Sequence, residues 1–218
     1  MPIHVMTQKH FQREVKPMDN HQRSTMSLVD VVQARLSPKR WEHTLRVAEY
    51  TAHLARRFGL DETKAMTAAL LHDGCKEYSD AELRVEAQKA GFPLDDFMVQ
   101  HIGLLHGPVA ALWADREGLC RDSDVLEAIF CHSSGAPGVG SLAMILYIAD
   151  KIEPGRPSTK HRDDLRLLVE NVSLSRATMA VIDNSLSFLI AHQEAIAPQT
   201  FLWRNALLLS IEAEEKGV

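Results

Sequence analysis

His72 and Asp73 stand side by side at the end of the apolar run Ala68-Ala69-Leu70-Leu71. His43 lies upstream, His106 and His132 lie downstream, and Asp150 ends another apolar run. Imidazole nitrogens and carboxylate oxygens delivered from separate helices are the ligands of a hydrolytic divalent-metal centre, so the pattern points to metal-dependent hydrolysis. A carboxylate that follows an apolar helical face must be solvated, paired or metal-bound. At a helix C-terminus the backbone dipole makes it still less favourable without a cation. Asp73 and Asp150 both pose this problem, and a buried divalent site answers it for both. His53 shares a helix with His43, but ten residues at about 100° each separate the two around the axis. His53 and His192 therefore read as ordinary hydrogen-bonded or exposed side chains.

The elements that must position these groups are helical. Trp41, Leu45, Ala48, Ala52 and Ala55 recur at spacings of three and four, which predicts an amphipathic helix over 38–58 with Phe58-Gly59 as its stop. His43 falls in its first turns. Asp61 is a suitable N-cap for a second helix that ends at His72-Asp73-Gly74, with the glycine suited to the break. Ser79 and Glu82 form a capping box for a helix running to Ala90-Gly91. Gly107-Pro108 opens the next helix, and Asp122 or Ser123 caps one that delivers His132 near its end. The stretch 133–140, rich in Ser and Gly, reads as the most flexible interior loop. Apolar helices follow over Leu142 to Ile148, with Asp150 at the C-terminal end, then Leu165 to Val169, Met179 to Ile190 and Phe201 to Ile211. No alternating pattern of strand length appears, so the fold class expected is all-α.

The chain has 218 residues, 45 % of them hydrophobic, and a formal net charge of −5, enough for one domain with a substantial core. Residues 1–25 are polar and aperiodic and read as a flexible tail, leaving 26–218 as the domain. No long basic run supports binding to nucleic acid or to a membrane surface. No apolar stretch approaches the roughly 18 residues of a membrane span, and no signal-peptide order is present. Cys75, Cys120 and Cys131 form no C-x-x-C pair, which fits a reducing cytoplasm.

The order His43, His72-Asp73, Asp150 resembles the H…HD…D signature of the HD-domain superfamily of metal-dependent phosphohydrolases. Five strings narrow the resemblance: Arg40-Trp41-Glu42-His43-Thr44, Leu71-His72-Asp73-Gly74-Cys75-Lys76, Leu105-His106-Gly107-Pro108, Cys131-His132-Ser133-Ser134-Gly135, and the run from Tyr147 to Arg156. They are similar to those of the YqeK-type symmetrical bis(5′-nucleosyl)-tetraphosphatases over roughly residues 28 to 210. The resemblance implies an HD-type helical bundle with two divalent metal ions, iron by preference. It also implies the ligands His43, His72, Asp73, His106, His132 and Asp150, with Asp73 bridging. His101, five residues before His106, is a rival for the fourth imidazole, but His106 sits in the matching string.

In that setting Asp73 and Lys76 are the candidate catalytic residues, Lys76 fitting the family's HD-x-x-K pattern. Lys76, Ser133, Ser134, Gly135, Lys151 and Arg156 are candidate contacts to a phosphate chain, Arg156 because guanidinium offers a planar fork to phosphate oxygens. Two ions about 3.5–4 Å apart would activate a water for in-line attack on a phosphoryl group. The expected substrate is a dinucleoside polyphosphate, diadenosine tetraphosphate cut to two ADP. The same ligands also permit another HD-type nucleotide phosphohydrolase, acting on a nucleoside monophosphate or a guanosine alarmone, or a nucleotide-sensing module without catalysis. The sequence leaves the oligomeric state open.

Overall fold

A computed structural model describes residues 27–157 and 159–216. The expected tail over residues 1–25 lies outside the described residues. Among those described there is no strand, and eleven α-helices and one 3-10 turn follow one another in chain order. They are α1 (Leu28–Gln33), α2 (Pro38–Phe58), α3 (Glu62–Leu71), α4 (Asp80–Lys89), α5 (Asp96–Gln100), the 3-10 turn Ile102–Leu105, α6 (His106–Arg116), α7 (Ser123–Cys131), α8 (Ser141–Ile152), α9 (Lys160–Val169), α10 (Leu174–Ala191) and α11 (Pro198–Lys216).

The expected boundaries of α2 hold at both ends. Ser37 caps it ahead of Pro38, whose missing N–H costs nothing at the first helical position, and Gly59 ends it at φ 69° in the left-handed region. Asp61 caps α3 by accepting from Thr63 N and Lys64 N, and the Ser79/Glu82 capping box opens α4. Such caps contribute about 1 kcal/mol each. α6 starts at His106, one residue before the expected Gly107-Pro108, because the 3-10 turn runs directly into it. Helices α8, α9, α10 and α11 all extend beyond the apolar cores from which they were expected. Periodicity marks only the buried face, whereas polar first and last turns belong to the helix as well.

α2 pairs with α3 and lies across α8, α7 packs between α6 and α8, and α10 joins α8 to α11. The seams are built from Ala68, Ala69, Ala110, Ala128 and Ala149, all fully buried, so backbones approach closely while Leu54, Leu71, Ile129 and Ile145 fill the spaces between. Each such large side chain contributes about 1.5–3 kcal/mol by leaving water. This packing brings the C-terminal ends of α3, α7 and α8 to one place, facing the N-terminal half of α2.

Two glycine expectations change. Gly74 does not end α3 in a left-handed cap; a Cβ there would lie 2.7 Å from Trp113 Cζ3, so it is small because α6 presses on the turn. The stretch 133–140 is a loop but a packed one. Ala136 and Val139 are buried, Thr200 Oγ1 donates to Ser134 O at 2.7 Å, and Gly140 N donates to Glu127 Oε2 at 2.8 Å. Gly135 has φ 66° and lies under Trp203, which a Cβ would meet at 1.8 Å.

Candidate metal centre

Three histidines share one local device. His72 and His132 are the C-cap residues of α3 and α7, where the last carbonyls have no helical partner. His72 Nδ1 donates to Ala69 O at 2.5 Å, His132 Nδ1 to Ile129 O at 2.7 Å, and His106 Nδ1 to Gly103 O at 2.5 Å. Each bond runs to the residue three positions back. A carbonyl can only accept, so the proton is on Nδ1 and the bare Nε2 of each ring points inward.

His43, in the second turn of α2, is held differently. Its Nδ1 donates to Glu153 Oε1 at 3.2 Å and its Nε2 lies 3.1 Å from Asp150 Oδ1. Asp73 sits at the centre. Its Oδ1 is 3.5 Å from His106 Nε2 and 3.7 Å from His132 Nε2, while Oδ2 is 3.5 Å from His72 Nε2 and 4.0 Å from His43 Nε2. The two oxygens thus face different pairs of imidazoles. All six expected ligands are buried and brought together.

The donor set fits a cation. His106 Nε2 and His132 Nε2 approach to 2.9 Å with both Nδ1 atoms committed as donors, so two lone pairs face each other. His72 Nε2 is buried without a hydrogen-bond partner, a cost of about 1–3 kcal/mol that a metal removes. Ligating atoms of His43, His72 and Asp150, and again of His72, Asp73 and His132, lie within 4.8 Å of one another. Nitrogen with carboxylate oxygen suits iron, manganese, zinc or cobalt better than magnesium. The C-terminal ends of three helices add negative potential.

The electrostatics agree, with one tension. Burial opposes ionisation of Asp73, yet His72 and His132 beside it hold the carboxyl well below the usual range. For Asp150, Lys151 and His43 outweigh burial in the same way. Burial pushes the His106 and His132 pKa values down, as neutral ligands require. His72 goes the other way: burial lowers it, but Asp73 and Asp150 lift it above the ordinary value. A proton and a bound cation would compete for that Nε2.

Basic groups ring the carboxylates. Lys76 Nζ lies 3.4 Å from His106 Nδ1 and Nε2, and its pKa is lowered, chiefly by burial. Lys151 Nζ donates to Asp150 Oδ2 at 2.9 Å. Arg156 Nη2 donates to Asp150 O at 2.7 Å and to Oδ1 at 3.1 Å, so like Lys151 it holds Asp150. Ser133 Oγ is 3.0 Å from His106 Nε2 and 3.2 Å from His132 Nε2. The next two residues are not brought to the centre: Ser134 Oγ turns to Gly135 O at 3.5 Å, and Gly135 N donates to Cys131 O at 2.7 Å. His101 packs on Phe97 with ring centroids 4.4 Å apart, while His106 occupies the cluster.

Sequence reasoning missed Arg40, whose Nη1 donates to Asp73 Oδ2 at 3.0 Å, and Glu153, which is 1 % exposed behind His43. Both lie inside the strings that carry the resemblance, so their positions were marked although their contacts were not.

Residues 40–155 match the HD domain family. The chain is 35 % identical over 177 residues to the symmetrical bis(5′-nucleosyl)-tetraphosphatase of Bacillus subtilis, spanning 81 % of this chain and 94 % of that protein. It is 32 % identical to the protein of the same description from Halalkalibacterium halodurans, over 83 % of this chain and 95 % of that one. Among solved structures, a predicted HD superfamily hydrolase involved in NAD metabolism from Clostridium acetobutylicum superposes with a TM-score of 0.79 at 32 % identity, covering 84 % of this chain and 96 % of the other.

Proposed function

The chain belongs to the HD-domain family, and from that premise we propose that it hydrolyses diadenosine tetraphosphate symmetrically to two ADP. One observation carries the reading. The full set of four imidazoles and two carboxylates converges in a chain whose likeness to a symmetrical tetraphosphatase spans 94 % of that relative. We assign two divalent ions to the cluster, iron by family resemblance, which when bound supply an activated water and a Lewis acid at the phosphoryl oxygen.

The chain's own residues do the rest. The committed Nδ1 protons of His72, His106 and His132 leave three Nε2 atoms turned to where the ions would sit. Asp73 spans both pairs of imidazoles, which supports a bridging role. Lys76, Lys151 and Arg40 line the rim with positive charge for a phosphate chain, and Ser133 Oγ offers a hydroxyl beside it. Burial lowers the Lys76 pKa, and an anionic partner favours its charged form. Arg156 holds Asp150 at the same rim and presents its guanidinium there to the phosphate chain as well. We assign catalysis to residues 26–218 and none to 1–25. No helix among the described residues is long and apolar enough to cross a membrane. Three free cysteines suit the reducing cytoplasm, where we place the protein.

Chromatography of products from a panel tests the reading: diadenosine tetraphosphate, diadenosine triphosphate, nucleoside monophosphates and a guanosine alarmone, each supplied with iron, manganese or cobalt. ADP as sole product of the tetraphosphate is expected. ATP plus AMP refutes symmetrical cleavage. Turnover confined to a monophosphate or an alarmone selects the other phosphohydrolase reading, and no turnover of any compound selects the sensing module.

A further inference from the structure

A buried carboxylate stands behind His43 with no place among the six ligands. Glu153 is the C-cap of α8, and the chain then turns through Pro154 and Gly155 so that Arg156 N donates to Glu153 O at 3.0 Å. The Glu153 side chain reaches across to α2. Its Oε1 accepts from His43 Nδ1 at 3.2 Å, a partner 110 residues away in sequence. Its Oε2 accepts from Arg46 Nε at 3.0 Å and from Gly155 N at 2.5 Å. Three donors therefore satisfy a charge that would otherwise be prohibitive to bury.

The local sequence makes this arrangement possible. Arg46 lies one turn after His43, on the same face of α2. Its guanidinium rests directly on Gly155, where a Cβ would come within 2.0 Å of Arg46 Nε. A side chain at 155 would have to displace the Arg46 guanidinium. His43 also needs the help. His72 and His132 find carbonyls at helix ends and His106 one in the 3-10 turn before it, but His43 sits inside α2, where the carbonyls before it are occupied by the helix itself.

We propose that Glu153 is the positioning residue of His43. It holds the ring in the Nδ1–H tautomer, aims Nε2 at the cation and strengthens that nitrogen as a ligand, with Arg46 and Gly155 holding Glu153 in turn. The role rests on the metal-dependent reading above.

The test compares Glu153→Leu, which cannot accept a hydrogen bond, with Glu153→Gln, which keeps an oxygen facing His43. Cobalt(II) affinity of the full chain is measured by competition with a chromophoric chelator, and the His43 ring tautomer is read by nitrogen-15 NMR in metal-free protein. Glu153→Leu is expected to lose about 10- to 100-fold in cobalt affinity and the fixed Nδ1–H signal. Glu153→Gln has a single acceptor oxygen for donors on both sides and is expected to fall between Leu and wild type in both. A Leu variant with unchanged affinity, or one that keeps the fixed Nδ1–H signal, overturns the proposal. If the Leu variant does not fold, Arg46→Met decides: freeing Glu153 should weaken affinity severalfold, and an unchanged value overturns the role. A wild-type chain that binds no cobalt refutes the metal reading together with this one, whereas wild-type binding with no effect of Leu refutes this one alone.

Discussion

His72, His106 and His132 each hand Nδ1 to a carbonyl three residues back, whereas His43 is held by Glu153, 110 residues away. Asp150 sits between the two styles. Arg156 and Lys151 hold it from within its own stretch of chain, and it meets His43 across 107 residues. The contrast shows two ways of aiming a ligand. The first is ready once a helix or 3-10 turn forms, because the unused carbonyl is already there. The second exists only when α2 has packed on α8, so that half of the centre depends on tertiary structure.

Asp73 belongs to both halves, and its removal should have the largest effect. Asp73→Ala is expected to bring turnover below detection and to strip most of the metal, measured by product release and elemental analysis. Near-normal activity in this variant contradicts the division into two halves joined by one carboxylate.

Arg156→Ala attacks the long-range half through Asp150. Hydrogen bonds to a charged group contribute about 1.5–3 kcal/mol, so metal affinity should fall about 10- to 100-fold. Activity should fall with it and recover at high metal concentration. Intact metal affinity with a raised KM would return Arg156 to a purely substrate-binding role.

Acid should separate the imidazoles. Burial favours neutral His72, but Asp73 and Asp150 outweigh it and raise its pKa, whereas burial lowers those of His106 and His132. A proton on His72 Nε2 excludes a cation there, so metal affinity should decrease as pH falls through the raised His72 pKa, by up to about tenfold per pH unit. Chelator competition from about pH 8 to about pH 5 measures it. Affinity independent of pH over that range contradicts the assignment of His72 as a ligand.

Gly107→Ala probes the local half most gently. A Cβ there would lie 3.1 Å from His132 Cε1 and Nδ1 and 3.1 Å from Ile129 O, the carbonyl that anchors His132. Overpacking of this kind costs about 1–3 kcal/mol, a fall in Tm of roughly 2–12 °C for a chain of this size. Activity should drop modestly as the ring shifts, while the Glu153 to His43 contact is untouched.

The same contrast explains what the sequence disclosed. A histidine just after an apolar run marks a helix end, so His72 and His132 were legible with their places, and α2, α3 and α4 with their caps. Gly135 is a candidate phosphate contact by sequence, through its backbone N–H, yet that N–H serves Cys131 O and Trp203 covers the residue. Arg40 and Glu153 carry no local signal, since each acts on a residue 33 or more positions distant. The helices α1 and α5 and the 3-10 turn, at six, five and four residues, are too short to show a period.

We assign the catalytic metal to these six side chains. Anomalous diffraction from crystals of the iron- or manganese-loaded protein, recorded at the metal absorption edge, tests this assignment most directly. Strong peaks are expected among His43, His72, Asp73, His106, His132 and Asp150, at ordinary ligand distances from the Nε2 atoms of the histidines. Peaks elsewhere, or none in protein that is turning over substrate, would contradict it.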